Sequence, residues 1–361
     1  MNSFRAEFKK FTLNFIKPMG TSRGMLFDHD VYILALIDER NRGRIGLGEC
    51  APLTGLSIDA RPNFSEKLKE ICDALNTGTR PEDLDLTDWP SIRFGLEAAR
   101  LDFQNGGRRL FFATEFTRGQ RAIPINGLVV MSDVGAMLQQ ALAKIAAGFD
   151  CIKIKIGALD FEAECELLRE IRKQYPADKI QLRLDANGAF HPDEALSKLQ
   201  RLSEFGIHSI EQPIQPRHWQ HLARLCEFSP IPIALDEELI GIQSVAEKQK
   251  MVQSIRPQFI TLKPTLLGGL AASKEWIALA ERLNIGYWVT SALESNIGLN
   301  IISQWTAIMP TNLHQGLGTG QLYAANFRSP LQVVDGQLAY SSSSSWQPFT
   351  SLSDLKLREL I

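Results

Sequence analysis

Neither sign of charge dominates this 361-residue chain, in which 39 lysines and arginines stand against 41 aspartates and glutamates. Without a basic surplus there is no electrostatic footprint for nucleic acid, and that class of partner is disfavoured. Long apolar runs are missing too. The longest, Val31 to Ile37, is far short of the ~20 residues a membrane helix needs. The first residues, MNSFRAEFKKFTLNFIKP, lack the continuous apolar stretch of a secretory signal. The five cysteines (Cys50, Cys72, Cys151, Cys165 and Cys226) contain no CxxC pair, so free buried thiols in a reducing compartment are expected. Hydrophobic content of 44% with 22% charged residues is ordinary for a globular protein and argues against disorder. The expectation is a soluble, cytoplasmic protein without a membrane partner; no feature marks an oligomer interface.

What is present falls into three regions. Residues 1–120 begin with strand-like segments (FTLNFI, VYILALID, then GECAPLTG after the turn NRGRIGLGE). The helical patterns FSEKLKEICDAL and SIRFGLEAARLDFQN follow, so an α+β domain is expected. From 121 to 318, short apolar strands alternate with amphipathic helices: AIPIN, IKIKIG, LRLDAN, SIEQP, IALDE, FITLKP, YWVTS and NLHQG are the strand candidates. Eight such units predict a (β/α) barrel of TIM type, with α/β class overall, although an open doubly wound sheet uses similar units. The remaining 319–361 carry LQVVDGQLAY and a serine run from Ser341 to Ser345, and should pack back on the first domain, which is expected to cap the barrel.

One polar residue recurs at the end of each candidate strand: Asn126, Lys155, Asp185, Glu211, Asp236, Lys263, Ser291 and Gln315. The steps between them are 29, 30, 26, 25, 27, 28 and 24 residues, each about one βα unit. Their side chains therefore return to one rim, the C-terminal one where barrel active sites lie. Strand parity adds neighbours to this set, since residues two apart share a face. Lys153 joins Lys155, Arg183 and Asn187 join Asp185, and the isoleucines and leucines between them turn outwards. Converging ionisable groups in a partly dry cavity are costly unless they pair or bind a metal.

Asp185, Glu211 and Asp236 are hard oxygen ligands on three adjacent strands, a set that suits Mg²⁺, with Mn²⁺ as a substitute. The other reading is a structural network in which these carboxylates pair with Lys153, Lys155 and Lys263. A protonated lysine cannot act as a base, but a cation and a second ammonium nearby would lower the pKa of Lys155 towards the ~7–8 useful for proton abstraction. Asn187 and Glu237 read as supports for the ligands. Arg183 could hold the substrate or form a structural ion pair, and Ser291 and Glu294 could touch substrate. The loop from Pro18 to Met25, containing Gly20 and Gly24, is either a lid over the barrel mouth or a plain hairpin turn.

The ordered motifs Lys-x-Lys (Lys153, Lys155), Asp-x-Asn (Asp185, Asn187), Glu-Gln-Pro (Glu211 to Pro213), Asp-Glu (Asp236, Glu237) and Lys-Pro (Lys263, Pro264) resemble the muconate-cycloisomerase branch of the enolase superfamily. GECAPL looks like a capping-domain loop of that branch. Within it, LRLDANGAF, SALESNIGLN and HQGLGTGQLY followed by SPL are most similar to the o-succinylbenzoate synthases. The resemblance implies a metal-dependent lyase acting on a small-molecule carboxylate in menaquinone biosynthesis. Lys155 would remove the proton α to the carboxylate of a cyclohexadiene, an enediolate would form, and water would leave to give 2-succinylbenzoate. Lys263 would stabilise the intermediate, and Lys153 would tune Lys155 and contact the carboxylate. The pairing of a lysine base with Mg²⁺ is a general feature of enolase-superfamily sites.

Four rivals stand beside it. Lys155 and Lys263 could act as opposed bases in an N-acylamino acid racemase or dipeptide epimerase, though the epimerases usually carry an acidic pair where this chain reads GLGTGQ. Muconate cycloisomerisation would use the same site. The run from Gly316 to Gly320 could cradle a phosphate, but that leaves the carboxylates unexplained. A catalytically silent metal-binding barrel is the non-enzyme alternative.

Overall fold

The computed structural model describes residues 4–21, 24–41 and 43–359. Three antiparallel strands open the chain, β1 (Phe4–Thr21), β2 (Gly24–Asp38) and β3 (Ile45–Cys50), paired in that order. The apolar run at 31–37 is the middle of β2, and its continuity has a simple cause. Tyr32, Leu34 and Leu36 face α1 (Phe64–Asn76) and α2 (Pro90–Gln104), in a core with Phe64, Leu68 and Ile92. Val31, Ile33, Ala35 and Ile37 face the other way, onto Tyr323, Phe327, Leu352 and Leu355 near the end of the chain. A strand buried on both faces needs apolar residues at every position.

The barrel begins with β4 (Ile123–Pro124) and β5 (Gly127–Val129) and continues through α3 (Val134–Ala146), β6 (Cys151–Lys155), α4 (Phe161–Gln174) and β7 (Gln181–Asp185). Next come α5 (Pro192–Ser203), β8 (Ile207–Glu211), α6 (Trp219–Phe228), β9 (Ile233–Leu235) and α7 (Val245–Ile255). It ends with β10 (Phe259–Leu262), the short α8 (Pro264–Leu267), α9 (Leu270–Arg282), β11 (Gly286–Val289) and α10 (Asn296–Thr306). Strands β5 to β11 form one parallel sheet in sequence order. Side chains of Asp133, Asp160, Ser244 and Ser295 accept backbone N–H groups and start α3, α4, α7 and α10.

Closure, which the strand pattern left open, is made by residues 315 and 316. Gln315 bridges Ile125 and Gly316 bridges Thr290, both in parallel sense. Gln315 N donates to Pro124 O at 2.9 Å and Gly316 N to Val289 O at 2.8 Å, so the eighth strand joins the first to the seventh. A Cβ on Gly316 would lie 2.1 Å from Thr290 Oγ1, which is why the closing strand carries glycine there. Six of the eight expected strands are present as β6 to β11; the first lies at Gly127–Val129, just past AIPIN, whose β4 pairs with β14, and NLHQG adds only the bridges at Gln315 and Gly316. Parity also holds: Ile152, Ile154, Leu182 and Leu184 pack outwards with Cys165, Leu168 and Leu199 of the helices.

The end of the chain divides. Ala324 N donates to Asn14 O at 2.9 Å, and Lys9 Nζ reaches Leu352 O and Leu355 O, so parts of 319–359 lie along β1. The strands β12 (Ala325–Asn326) and β15 (Arg358–Glu359) pair with each other, whereas the hairpin of β13 (Leu331–Val334) and β14 (Gln337–Tyr340) pairs with β4 of the barrel.

In the Pro18–Met25 segment the described residues are paired as a hairpin, with Gly20 opposite Met25 and Thr21 opposite Gly24; Ser22 and Arg23 lie outside the described residues. Gly20 also bridges Met131 just past β5, which sets the hairpin against the barrel mouth. All five cysteines are free thiols, four of them buried. Among the described residues no helix is long and apolar enough to cross a membrane.

Candidate active site

Register explains how residues 25–30 apart in sequence become neighbours. Lys155 pairs with Asp185 across β6 and β7, and Asp185 pairs with Glu211 across β7 and β8. Glu211 pairs with Ala234, so Asp236 stands two residues further up on the same face. Ile260 pairs with Leu235, which puts Lys263 two residues above the partner of Asp236. The climb is the stagger that a closed barrel demands. Counting from the strand at Ile125, Lys155 leaves strand two and Lys263 leaves strand six, opposite positions in a ring of eight.

Four of the six groups form one alternating network, and Lys263 and Asp236 form a pair of their own. Lys153 Nζ donates to Asp185 Oδ2 at 3.0 Å and also to Glu211 Oε2. Lys155 Nζ reaches the same Asp185 oxygen at 3.1 Å, and Lys263 Nζ donates to Asp236 Oδ2. All are buried or nearly so. Burial and the neighbouring carboxylates of Asp185 and Asp236 push Glu211 up to about 7 despite the Lys153 ammonium. Burial also raises Asp236, against the pull of Lys263. Asp185 goes the other way: burial would raise it, but the Lys153, Lys155 and Lys263 ammoniums hold it well below the usual carboxylate range. For Lys153 burial favours the neutral amine, yet Asp185, Glu211 and Asp236 outweigh it and stabilise the ammonium.

Among the described residues no three acidic, histidine or cysteine side chains are gathered as a ready metal cage. Lysine ammoniums stand between the carboxylates instead. The donor set nevertheless fits a divalent cation. Glu211 Oε1 is buried without a hydrogen-bond partner, an acceptor facing away from water that a cation would satisfy.

Asn187 ties this network together. Its backbone is left-handed (φ 44°), its Oδ1 accepts Lys155 Nζ at 2.6 Å, and its Nδ2 donates to Glu237 Oε1 at 2.9 Å. Gln212, quoted in the Glu-Gln-Pro motif without a role, accepts Asp236 N at 3.3 Å and Glu238 N at 3.2 Å on Oε1. It fixes the backbone that carries Asp236. Glu238 in turn accepts Trp219 Nε1 at 2.8 Å and Arg217 N at 3.0 Å. The signal for Gln212 is its place after Glu211 in the Glu-Gln-Pro motif, whereas Glu238 follows the Asp-Glu pair and carries no signal of its own.

Three substrate candidates are differently placed. Arg183 forms no ion pair among the described residues. Its guanidinium stacks on the Trp288 ring at 4.1 Å, Nη1 donates to His314 O at 2.8 Å, and Nε and Nη2 are buried without partners. Of the two readings open for it, the structural ion pair is not formed among the described residues; the guanidinium lies on the indole of Trp288 instead. Ser291 Oγ donates to Glu294 Oε2 at 2.7 Å and accepts Thr319 Oγ1 at 2.6 Å. Glu294 also accepts Ala292 N at 2.8 Å and Thr265 Oγ1, so both its oxygens are held by the protein. Gln315 places its amide against Val289 N and Leu313 O, in the closing seam. Two surface clefts of 630 and 660 Å³ lie elsewhere and are lined by no lysine and no buried carboxylate.

The family model described as enolase C-terminal domain-like matches residues 136–344. The chain belongs to that family, within the enolase superfamily. Among its relatives, o-succinylbenzoate synthase from Desulfotalea psychrophila (strain LSv54 / DSM 12343) is 42% identical over 94% of this chain and 100% of its own length. The crystal structure of MenC from Desulfotalea psychrophila LSv54 superposes with a TM-score of 0.83 at 39% identity, covering 94% of this chain and all of that one. A dipeptide epimerase from Cytophaga hutchinsonii, solved with Mg and D-Ala-L-Val, shares the enolase-superfamily fold at a TM-score of 0.76 and 19% identity, covering 99% of each chain.

Proposed function

We propose that this enolase-superfamily chain is a lyase of the o-succinylbenzoate synthase type, which removes water from a cyclohexadiene carboxylate to give 2-succinylbenzoate in menaquinone biosynthesis. The observation that carries the reading is the 42% identity to such a synthase along that protein's whole length. The facing lysines on strands two and six supply chemistry that fits it.

Asp185, Glu211 and Asp236 would hold a divalent cation, Mg²⁺ or in its place Mn²⁺. When bound it supplies positive charge beside the substrate carboxylate, which makes the neighbouring C–H more acidic. Lys155 takes that proton, and the electron pair of the broken C–H bond moves into the carboxylate. Asn187 holds the Lys155 amine in place through its amide oxygen. Lys263, from the opposite side, sets its ammonium against the electron-rich intermediate. As the pair returns, the C–O bond breaks and Lys155 hands its proton to the departing hydroxide, so that water leaves and the ring becomes aromatic. Lys153 keeps its charge among the carboxylates and contacts the substrate's own carboxylate.

Opposed lysines also suit removing and returning a proton on opposite faces, so racemisation of an N-acylamino acid is the second reading. The closing segment from Gly316 to Gln321 has no acid to receive a free ammonium, which counts against a dipeptide substrate. The deciding assay supplies the cyclohexadiene precursor and a panel of N-acylamino acids in D₂O with Mg²⁺. Formation of 2-succinylbenzoate is expected. Deuterium exchange confined to the N-acylamino acids, with no dehydration, would replace the lyase by the racemase.

A further inference from the structure

Two carboxylates of the first domain reach across to helices of the barrel. Glu97 on α2 accepts Leu270 N at 2.6 Å and Ala271 N at 3.1 Å, where α9 begins. Glu49 on β3 accepts Ser295 N at 2.7 Å, Gly298 N at 2.7 Å and Ser295 Oγ, where α10 begins. Both satisfy N–H groups that a helix start leaves open. They differ in what lies behind them.

Ser295 directly follows Glu294, whose carboxylate joins Ser291 at the end of strand seven to Thr265, two residues beyond Lys263. Between them Leu293 is held in the left-handed region, with φ at 68°, a conformation costing about 1 kcal/mol or more for a residue with a side chain. Such a turn persists only where its surroundings enforce it. Leu293 O accepts His29 Nδ1 at 3.0 Å and Tyr323 Oη at 2.5 Å, both from outside the barrel. Glu49 completes the enforcement from the capping sheet. It is wholly buried.

We propose that Glu49 is a positioning residue for the active site. By holding Ser295 and Gly298 it sets the strand-seven segment from Ser291 to Ser295, and through Glu294 and Thr265 it sets the chain that follows Lys263. The first domain thus determines the shape of the barrel mouth, not only its cover. The consequence for turnover rests on the lyase reading above; the consequence for the backbone does not.

The test uses the full chain with Mg²⁺ and compares Glu49→Ala and Glu49→Gln with Asp102→Asn. Asp102 is a buried carboxylate that accepts Leu47 N at 2.9 Å and Arg109 N at 2.5 Å and, among the described residues, makes no hydrogen bond to the 291–298 segment, so its variant serves as the control for lost stability. In hydrogen exchange, E49A should speed the amides of 291–298 by about ten-fold or more, and D102N should leave them at the wild-type rate. Below all melting temperatures, E49A should lower kcat on the cyclohexadiene about ten- to hundred-fold, the scale of a misplaced site. E49Q, which keeps one acceptor oxygen, should recover part of that loss and decides the matter if E49A does not fold. Lower melting temperature with unchanged kcat, KM and exchange would reduce Glu49 to a domain fastener and overturn the proposal. If the wild type does not dehydrate the cyclohexadiene, the lyase reading fails and exchange alone decides: unaltered amides at 291–294 overturn the positioning role.

Discussion

The Lys155 ammonium lies closer to the amide oxygen of Asn187, at 2.6 Å, than to the carboxylate of Asp185, at 3.1 Å. The amide oxygen thus fixes the direction in which the Lys155 amine points, beside its ion pair with Asp185. Asn187→Ala removes that acceptor and the bond to Glu237 together. Turnover should fall about 10–100-fold, as for loss of other groups that orient catalytic residues. Steady-state kinetics at saturating Mg²⁺ would check this, and an unchanged kcat would deny Asn187 its orienting role.

Lys155→Ala should abolish dehydration and also the exchange of the α-proton, since a general base contributes at least about 10²-fold. Calorimetric titration with Mg²⁺ should still show binding, because Asp185, Glu211 and Asp236 are untouched. Exchange that survived in the variant would move the base to another residue.

Asp236→Asn deprives Lys263 of its ion-pair partner and, on the proposed reading, the cation of a ligand. The Mg²⁺ concentration giving half-maximal activity should rise at least about ten-fold, the lower end of what disturbing even a supporting group costs. An unchanged requirement would show that the cation is held elsewhere.

Much of this site is legible in the sequence because a barrel converts regular spacing into neighbourhood. Steps of 25 to 30 residues place Lys155, Asp185, Glu211, Asp236 and Lys263 on one rim, and alternation turns them inwards. What escapes depends on contacts that no local period encodes. Glu49 and Ser295 are 246 residues apart, and nothing near either predicts the other. Closure rests on single bridges at Ile125 and Thr290 rather than on a strand-like pattern at 315–316. Parity places Arg183 in the barrel interior, but only packing shows that its guanidinium lies against Trp288.

Arg183→Met tests that last point. The guanidinium gains from the Trp288 ring, about 2 kcal/mol when desolvated, and from the His314 carbonyl. Against this stand two buried donors without partners, each costing about 1–3 kcal/mol. The terms nearly cancel, so a methionine of similar length should change the melting temperature little and leave KM within about two-fold, well under the ten-fold that 1.4 kcal/mol of lost contact represents. A ten-fold rise in KM would mean that the guanidinium reaches the substrate after all.

Gly298→Ala makes two effects compete. In the first turn of α10, alanine should gain up to about 1 kcal/mol over glycine from helix propensity. Yet an added Cβ would stand 2.9 Å from both Cβ and Cγ of Glu294 and 3.1 Å from Glu49 Oε2. Those are the fixed inner atoms of one side chain and the bonded oxygen of another, so neither can swing aside freely. Overpacking of this kind costs about 1–3 kcal/mol, enough to reverse the sign. The variant should therefore melt earlier than the wild type, and kcat should fall with it as Glu294 and Glu49 are pushed apart. Thermal unfolding and kinetics on the same preparation would separate the outcomes: a higher melting temperature would show that the two carboxylates are not wedged on either side of residue 298.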